Sequence, residues 1–156
     1  MNKSISIISD AAALIKARHF EEAIQLIKPF LKDEPSNIMA LGMLASVYAE
    51  INMHEKARDL YNQILKLEPS NALARFQLGL TYFNNKDYST AIKTWEPALD
   101  DKTDFMSKYF TGLSLLCTNN LQRGTEFLEA AQKIMPEDHP LYSQLHQHIS
   151  NAKNIN

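Results

Sequence analysis

The chain is poor in the residues that most covalent and targeting chemistries require. Its single cysteine, Cys117, has no intrachain partner, so an internal disulfide framework is excluded. It has only four glycines, Gly42, Gly79, Gly112 and Gly124, each inside a helical pattern. That excludes a glycine-rich phosphate loop and the strained turn of a nucleophile elbow. No apolar run approaches the roughly 20 residues needed to cross a bilayer. The stretch Met1 to Asp10 lacks the unbroken apolar core of a secretory leader, so a cytoplasmic protein is expected. Charge of one sign is also scarce, because 16 basic residues stand against 18 acidic ones and the net charge is -2. Neither nucleic acid nor an anionic membrane surface finds an electrostatic footprint here.

Candidates for catalysis or metal binding are equally thin. His139, His146 and His148 gather near the C-terminus with Glu137 and Asp138. His146 and His148 are two residues apart, however, and point to different sides of a helix, so no metal centre is expected. His19 and His54 fall at tight turns, where a polar surface residue is the ordinary explanation. Cys117 has no basic neighbour in sequence and reads as a small buried hydrophobe. No catalytic residue, cofactor or metal is expected, and the chain does not read as an enzyme.

What the chain does contain is repetition. The tetrad Glu34-Pro35-Ser36-Asn37 returns unchanged as Glu68-Pro69-Ser70-Asn71, 34 residues later. Small residues keep the same step, since Ala23, Ala57, Ala91 and Gly124 are spaced by 34, 34 and 33. The one-residue slip falls in the loop from Asp101 to Asp104. A fixed period of this length means a two-helix unit stacked several times, because one unit cannot bury its own apolar face. With 156 residues and 45% apolar content, one domain spanning 1–156 is expected.

Local patterns agree. Apolar residues recur at helical spacing, as in Leu60, Tyr61, Ile64, Leu65 and Leu67, and no segment alternates with a period of two, so the chain should be all-α. Ala45 with Ala57, Gly79 with Ala91, and Gly112 with Gly124 are placed to let paired helices approach closely. Ser36-Asn37, Ser70-Asn71 and Asp104 offer oxygens to the free N–H groups of the helix that follows. Pro29 and Pro97 fall inside second helices, where a kink is expected. A last helix over 140–153, with Leu141, Leu145 and Ile149 on one face, should cover the end of the stack.

Leu44-Ala45, Tyr48, Ala57, Tyr61 and Pro69 stand at spacings that resemble the tetratricopeptide repeat. Leu78-Gly79, Tyr82, Ala91 and Trp95 do so again, as do Gly112, Gly124, Ala131 and Pro136, and, more loosely, Ala11, Leu14, Ala23 and Pro35. The resemblance implies an all-α solenoid of about four helix-turn-helix units, at 4–37, 38–71, 72–104 and 105–138, with 140–153 as a capping helix.

In that family the first helix of each unit lines a concave groove. The corresponding residues here are mainly apolar: Met39, Met43, Leu73, Phe76, Gln77, Leu80, Phe83, Met106, Tyr109, Phe110 and Leu113. Clamps for acidic chaperone tails in similar repeats need Lys, Arg and Asn, where this chain has Ile8, Ala12, Met43, Leu73 and Gln77. The resemblance therefore implies a partner protein or peptide with apolar anchors. The alternative is self-association, with a second copy or the chain's own terminal helix in the groove. The size and the apolar groove also resemble the translocator chaperones of bacterial type III secretion, built from three such repeats, which implies an adaptor or chaperone.

Overall fold

Helices in this chain start and stop at recurring places, and each start or stop has an identifiable cause. The computed structural model describes residues 3–154. The helices are α1 Lys3–Lys16, α2 Phe20–Asp33, α3 Ile38–Glu50, α4 His54–Leu67, α5 Ala72–Asn84, α6 Tyr88–Trp95, α7 Phe105–Cys117, α8 Leu121–Gln132 and α9 Tyr142–Asn154. The described residues contain no strand, so the fold class is all-α.

Side-chain caps set several of the starts. Asn37 Oδ1 accepts the Ala40 N–H at 3.1 Å, Asn71 Oδ1 accepts that of Ala74 at 2.9 Å, and Asp104 Oδ1 accepts that of Ser107 at 2.8 Å. The repeated tetrad now has a physical meaning. Asn37 Nδ2 donates to Glu34 Oε2 at 2.9 Å and Asn71 Nδ2 to Glu68 Oε2 at 2.8 Å. The glutamate orients the amide so that its oxygen faces the helix. Ser36 and Ser70, at the next position back, are exposed.

A second device makes the tight turns between paired helices. Arg18, Asn52, Lys86 and Asn119 have φ of 61°, 60°, 62° and 62°, the left-handed region, and follow the same period as the small residues. Each ends its helix with a pair of backbone bonds. In the second turn Met53 N–H donates to Tyr48 C=O at 2.8 Å and Asn52 N–H to Ala49 C=O at 3.1 Å. The same two bonds recur around Arg18, Lys86 and Asn119.

The two internal prolines behave differently. At Pro97 the α-helix stops where a kink was expected: α6 ends at Trp95 and one 3-10 turn, Glu96–Ala98, follows. At Pro29 the helix carries through, and α2 continues to Asp33. The carbonyl deprived of its donor there belongs to the exposed residue Gln25, where water can serve it.

The chain divides into two compact units, one up to Thr81 and one from Tyr82. In the first, α1 packs on α2, α2 on α3, and α3 on α4, around buried Ala23, Ile27, Leu41, Ala45, Ala57 and Ile64. In the second, α7 packs on α6 and α8, and α9 lies on α8. The core of that unit holds Tyr109, Leu128, Ala131 and Met135, completed by Leu145 and Ile149 of α9. Burying those last two side chains contributes about 1.5–3 kcal/mol each, and Lys153 Nζ adds an ion pair to Glu129 at 2.6 Å. No helix among the described residues is long and apolar enough to cross a membrane.

Candidate peptide groove

In the first unit, α3 presents Met39, Met43 and Ser46 at helical spacing along one ridge, and α5 presents Leu73 and Gln77 along another. Tyr61 and Ile64 of α4 form a floor between them. With Ile38, Gly42, Asn71 and Ala74 these residues enclose an open cavity of about 550 Å³, within the ordinary range of roughly 300–1,000 Å³ for ligand sites. None of the lining side chains is charged. Met39 and Leu73 stand at the rim with 61% and 69% of their surface exposed.

Gly42 opens the space, because a Cβ there would meet only Ile64 Cδ1 at 3.9 Å. The polar groups of the wall are mostly committed. Ser46 Oγ donates to Met43 C=O at 2.8 Å, and the Asn71 amide is held by its cap. The half-buried Gln77 therefore supplies the polar contact that remains for a ligand. The Tyr61 phenol is buried, and loss of hydration pushes its pKa up to about 12.

The same helix positions in the second unit are filled by their own rings. Phe83 stands edge-on to Phe110 at 5.2 Å and to Tyr88 at 5.5 Å, and Trp95 lies 5.9 Å from Phe110. Tyr109, expected on the groove wall, is only 2% exposed. It belongs to the core closed by Leu145 and Ile149 of α9, so it is not an accessible contact. Phe110 and Leu113 pack against the same core.

Of the expected residues, Met39, Met43, Leu73 and Gln77 come together in one cavity. Phe76 and Leu80, half-buried on α5, lie outside its lining, and Met106 is half-buried on α7. The floor residues Tyr61 and Ile64 are new. Their positions in the second helix mark them in sequence as packing residues; both are buried, and Ile64 borders the cavity beside the gap left by Gly42.

The other candidates part from chemistry as well. Cys117 is exposed, not buried, because it is the last residue of α7. It bonds the Tyr88 phenol, and that bond, followed by burial, raises the tyrosine's pKa. The three C-terminal histidines diverge: His139 meets Phe105 at 5.1 Å, His146 meets Tyr142 at 4.8 Å, and His148 meets Tyr109 at 6.2 Å. Among the described residues no three His, Cys, Asp or Glu side chains gather as a metal site.

Comparison with known proteins agrees with this architecture. Sequence models of the tetratricopeptide repeat match residues 11–72 and 60–93. No curated protein matches by sequence. Among solved structures, one of MamA superposes with a TM-score of 0.84 at 22% identity, covering 99% of this chain and 83% of that one. MamA from Desulfovibrio magneticus RS-1, residues 41 to the end, gives 0.79 at 18% identity, covering 99% and 96%. YrrB, described as a tetratricopeptide-repeat protein with an unusual peptide-binding site, gives 0.75 at 17% identity, covering 96% and 75%. The shared fold is the α-α solenoid class.

Proposed function

Since the chain belongs to the tetratricopeptide-repeat family, a family of protein-interaction modules, we propose that it acts without covalent chemistry as an adaptor or chaperone, holding an apolar or amphipathic segment of a partner protein. The observation that carries this reading is the uncharged cavity of about 550 Å³ between α3 and α5, with Met39 and Leu73 exposed at its rim. Each apolar anchor buried there contributes about 1.5–3 kcal/mol, well above the roughly 0–1 kcal/mol of an exposed ion pair. Thioethers suit a partner whose anchors vary, because their soft, unbranched chains adapt to the shape that arrives. The peptide-binding site named for YrrB supports a peptide as the ligand class. An exposed free thiol at Cys117 suits a reducing compartment, and the cytoplasm is proposed.

The test is capture of a labelled peptide carrying leucine and phenylalanine at helical spacing, followed by fluorescence anisotropy. Leu73→Glu should weaken it at least about tenfold, the effect of losing roughly 1.4 kcal/mol. Unchanged affinity would refute the placement. One observation favours the rival reading of self-association: Ile5 on α1 is 62% exposed, an apolar contact outside the groove. Light scattering across a dilution series separates the two, since a tight dimer that excludes the peptide gives the groove to a second copy.

A further inference from the structure

Two of the chain's six methionines, Met39 and Met43, stand one helical turn apart on α3 and line the groove. Their surroundings differ from those of the other methionines among the described residues. Met39 is 61% exposed, against 42% for Met53, whose Sδ is met by Lys56 Nζ at 3.8 Å. Met106 is half-buried on α7, and Met135 lies in the core of the second unit at 4% exposure. Access to the sulfur sets the order in which thioethers meet an oxidant, so Met39 reacts first.

Oxidation at Met39 changes the groove and spares the fold. While the groove is open to water, a sulfoxide at this exposed rim position stays hydrated. Beneath an apolar segment it loses that water and needs a donor from the wall. The wall has few to give. Ser46 Oγ already donates to Met43 C=O, and Asn71 Nδ2 to Glu68 Oε2. Gln77 stands on the opposite ridge, the Tyr61 phenol is buried in the floor, and no lining side chain is charged.

We propose that Met39 is a redox-sensitive modification site, whose conversion to the sulfoxide by a peroxide releases the bound segment. The inference rests on the reading of the groove as the seat of an apolar segment. A sulfur lone pair attacks one peroxide oxygen, the S–O bond forms as the O–O bond breaks, and the departing hydroxide takes the remaining proton and leaves as water. Sulfur gives up two electrons and the peroxide takes them. The soft thioether that adapts to an apolar anchor becomes a polar, chiral group. Capture is thereby tied to a reducing environment.

The experiment uses the full chain carrying Cys117→Ser, because the exposed thiol also reacts with peroxide, and hydrogen peroxide is the probe. Mass spectrometry of the digested protein should find the sulfoxide at Met39 before Met53 and Met135. Affinity for the labelled peptide carrying leucine and phenylalanine should fall about tenfold or more once Met39 is oxidised, with helicity unchanged by circular dichroism. Methionine sulfoxide reductases with dithiothreitol should restore it, the oxygen leaving as water while the dithiol closes to a disulfide. Met39→Leu, whatever its own starting affinity, should lose little on the same treatment. Oxidation of Met53 or Met135 ahead of Met39, undiminished affinity in protein that carries the Met39 sulfoxide, an equal loss in Met39→Leu, or a loss that tracks falling helicity would overturn the proposal. Failure of the unoxidised chain to bind the peptide is a different result, which removes the groove reading itself and this inference with it.

Discussion

Gly112 on α7 and Gly124 on α8 meet backbone to backbone. A Cβ at Gly112 would lie 3.0 Å from the Gly124 carbonyl oxygen, and one at Gly124 would lie 3.1 Å from the Gly112 oxygen. The first would also meet Leu128 Cγ at 2.7 Å, and that leucine is fully buried. Gly112→Ala should therefore cost about 1–3 kcal/mol through overpacking. Gly42→Ala, whose methyl would make only an ordinary contact with Ile64 at 3.9 Å, should gain about 0.5–1 kcal/mol of helix propensity. Urea denaturation of the two variants checks this, and equal effects would contradict it.

The left-handed turn residues give a second prediction. Lys86 holds φ of 62° without being glycine, a conformation that costs about 1–2 kcal/mol for an ordinary side chain. Lys86→Gly should stabilise by about 0.5–1 kcal/mol after the greater freedom of glycine in the unfolded chain is counted. Asn52→Gly should gain less, because asparagine tolerates this region. Thermal unfolding of both variants decides it, and a destabilised Lys86→Gly would refute the account of the turn.

The repeated tetrad gives a third. Asn37→Ala and Asn71→Ala should each cost about 1 kcal/mol by freeing a helix-start N–H, whereas Asn37→Asp should retain most of the stability. Glu34→Gln should cost less than Asn37→Ala, since the glutamine oxygen still accepts the Asn37 N–H that orients the cap. The ranking can be read from denaturation midpoints.

The buried phenol of Tyr61 gives a pH dependence with a definite sign. The folded chain keeps this group neutral up to about 12, against an ordinary value of 10.0. The unfolded chain loses the proton first, so stability is intact below pH 10 and falls as pH rises toward 12. The loss from this group approaches about 3 kcal/mol. Tyr61→Phe should flatten the slope and leave the part due to Tyr109, whose pKa burial also raises. A slope unchanged in Tyr61→Phe would contradict the assignment.

Much of the fold could be read from the chain because its determinants are local. The caps at Asn37, Asn71 and Asp104 act on the next turn of the same helix, and the small residues at Ala57, Gly112 and Gly124 declare close packing by their size alone. The turns at Arg18 and Lys86 gave no such sign, since a long cationic side chain does not announce a left-handed backbone. The candidate site was legible only in its first half. Whether Met39 or Phe110 faces a void depends on which bulky neighbour reaches it. Met39 borders the gap left by Gly42, whereas Phe110 is met by Phe83 and Trp95. Phe110→Glu would therefore damage the core as well as any binding surface, and Met39 and Leu73 are the cleaner probes. Tyr109 was lost to α9, a contact between segments too far apart for any short pattern to show.

An apolar segment seated in the uncharged cavity between α3 and α5 would touch the methionine methyl groups of its wall. The chain has six methionines, of which Met39 and Met43 line the groove, Met53 stands just before α4 and outside the groove lining, and Met135 is buried in the second unit. In a methyl-labelled NMR titration with the apolar peptide, the Met39 and Met43 signals should move together and saturate, and those of Met53 and Met135 should stay in place. Saturable binding that shifts Met53 or Met135 while Met39 and Met43 hold still would contradict the account.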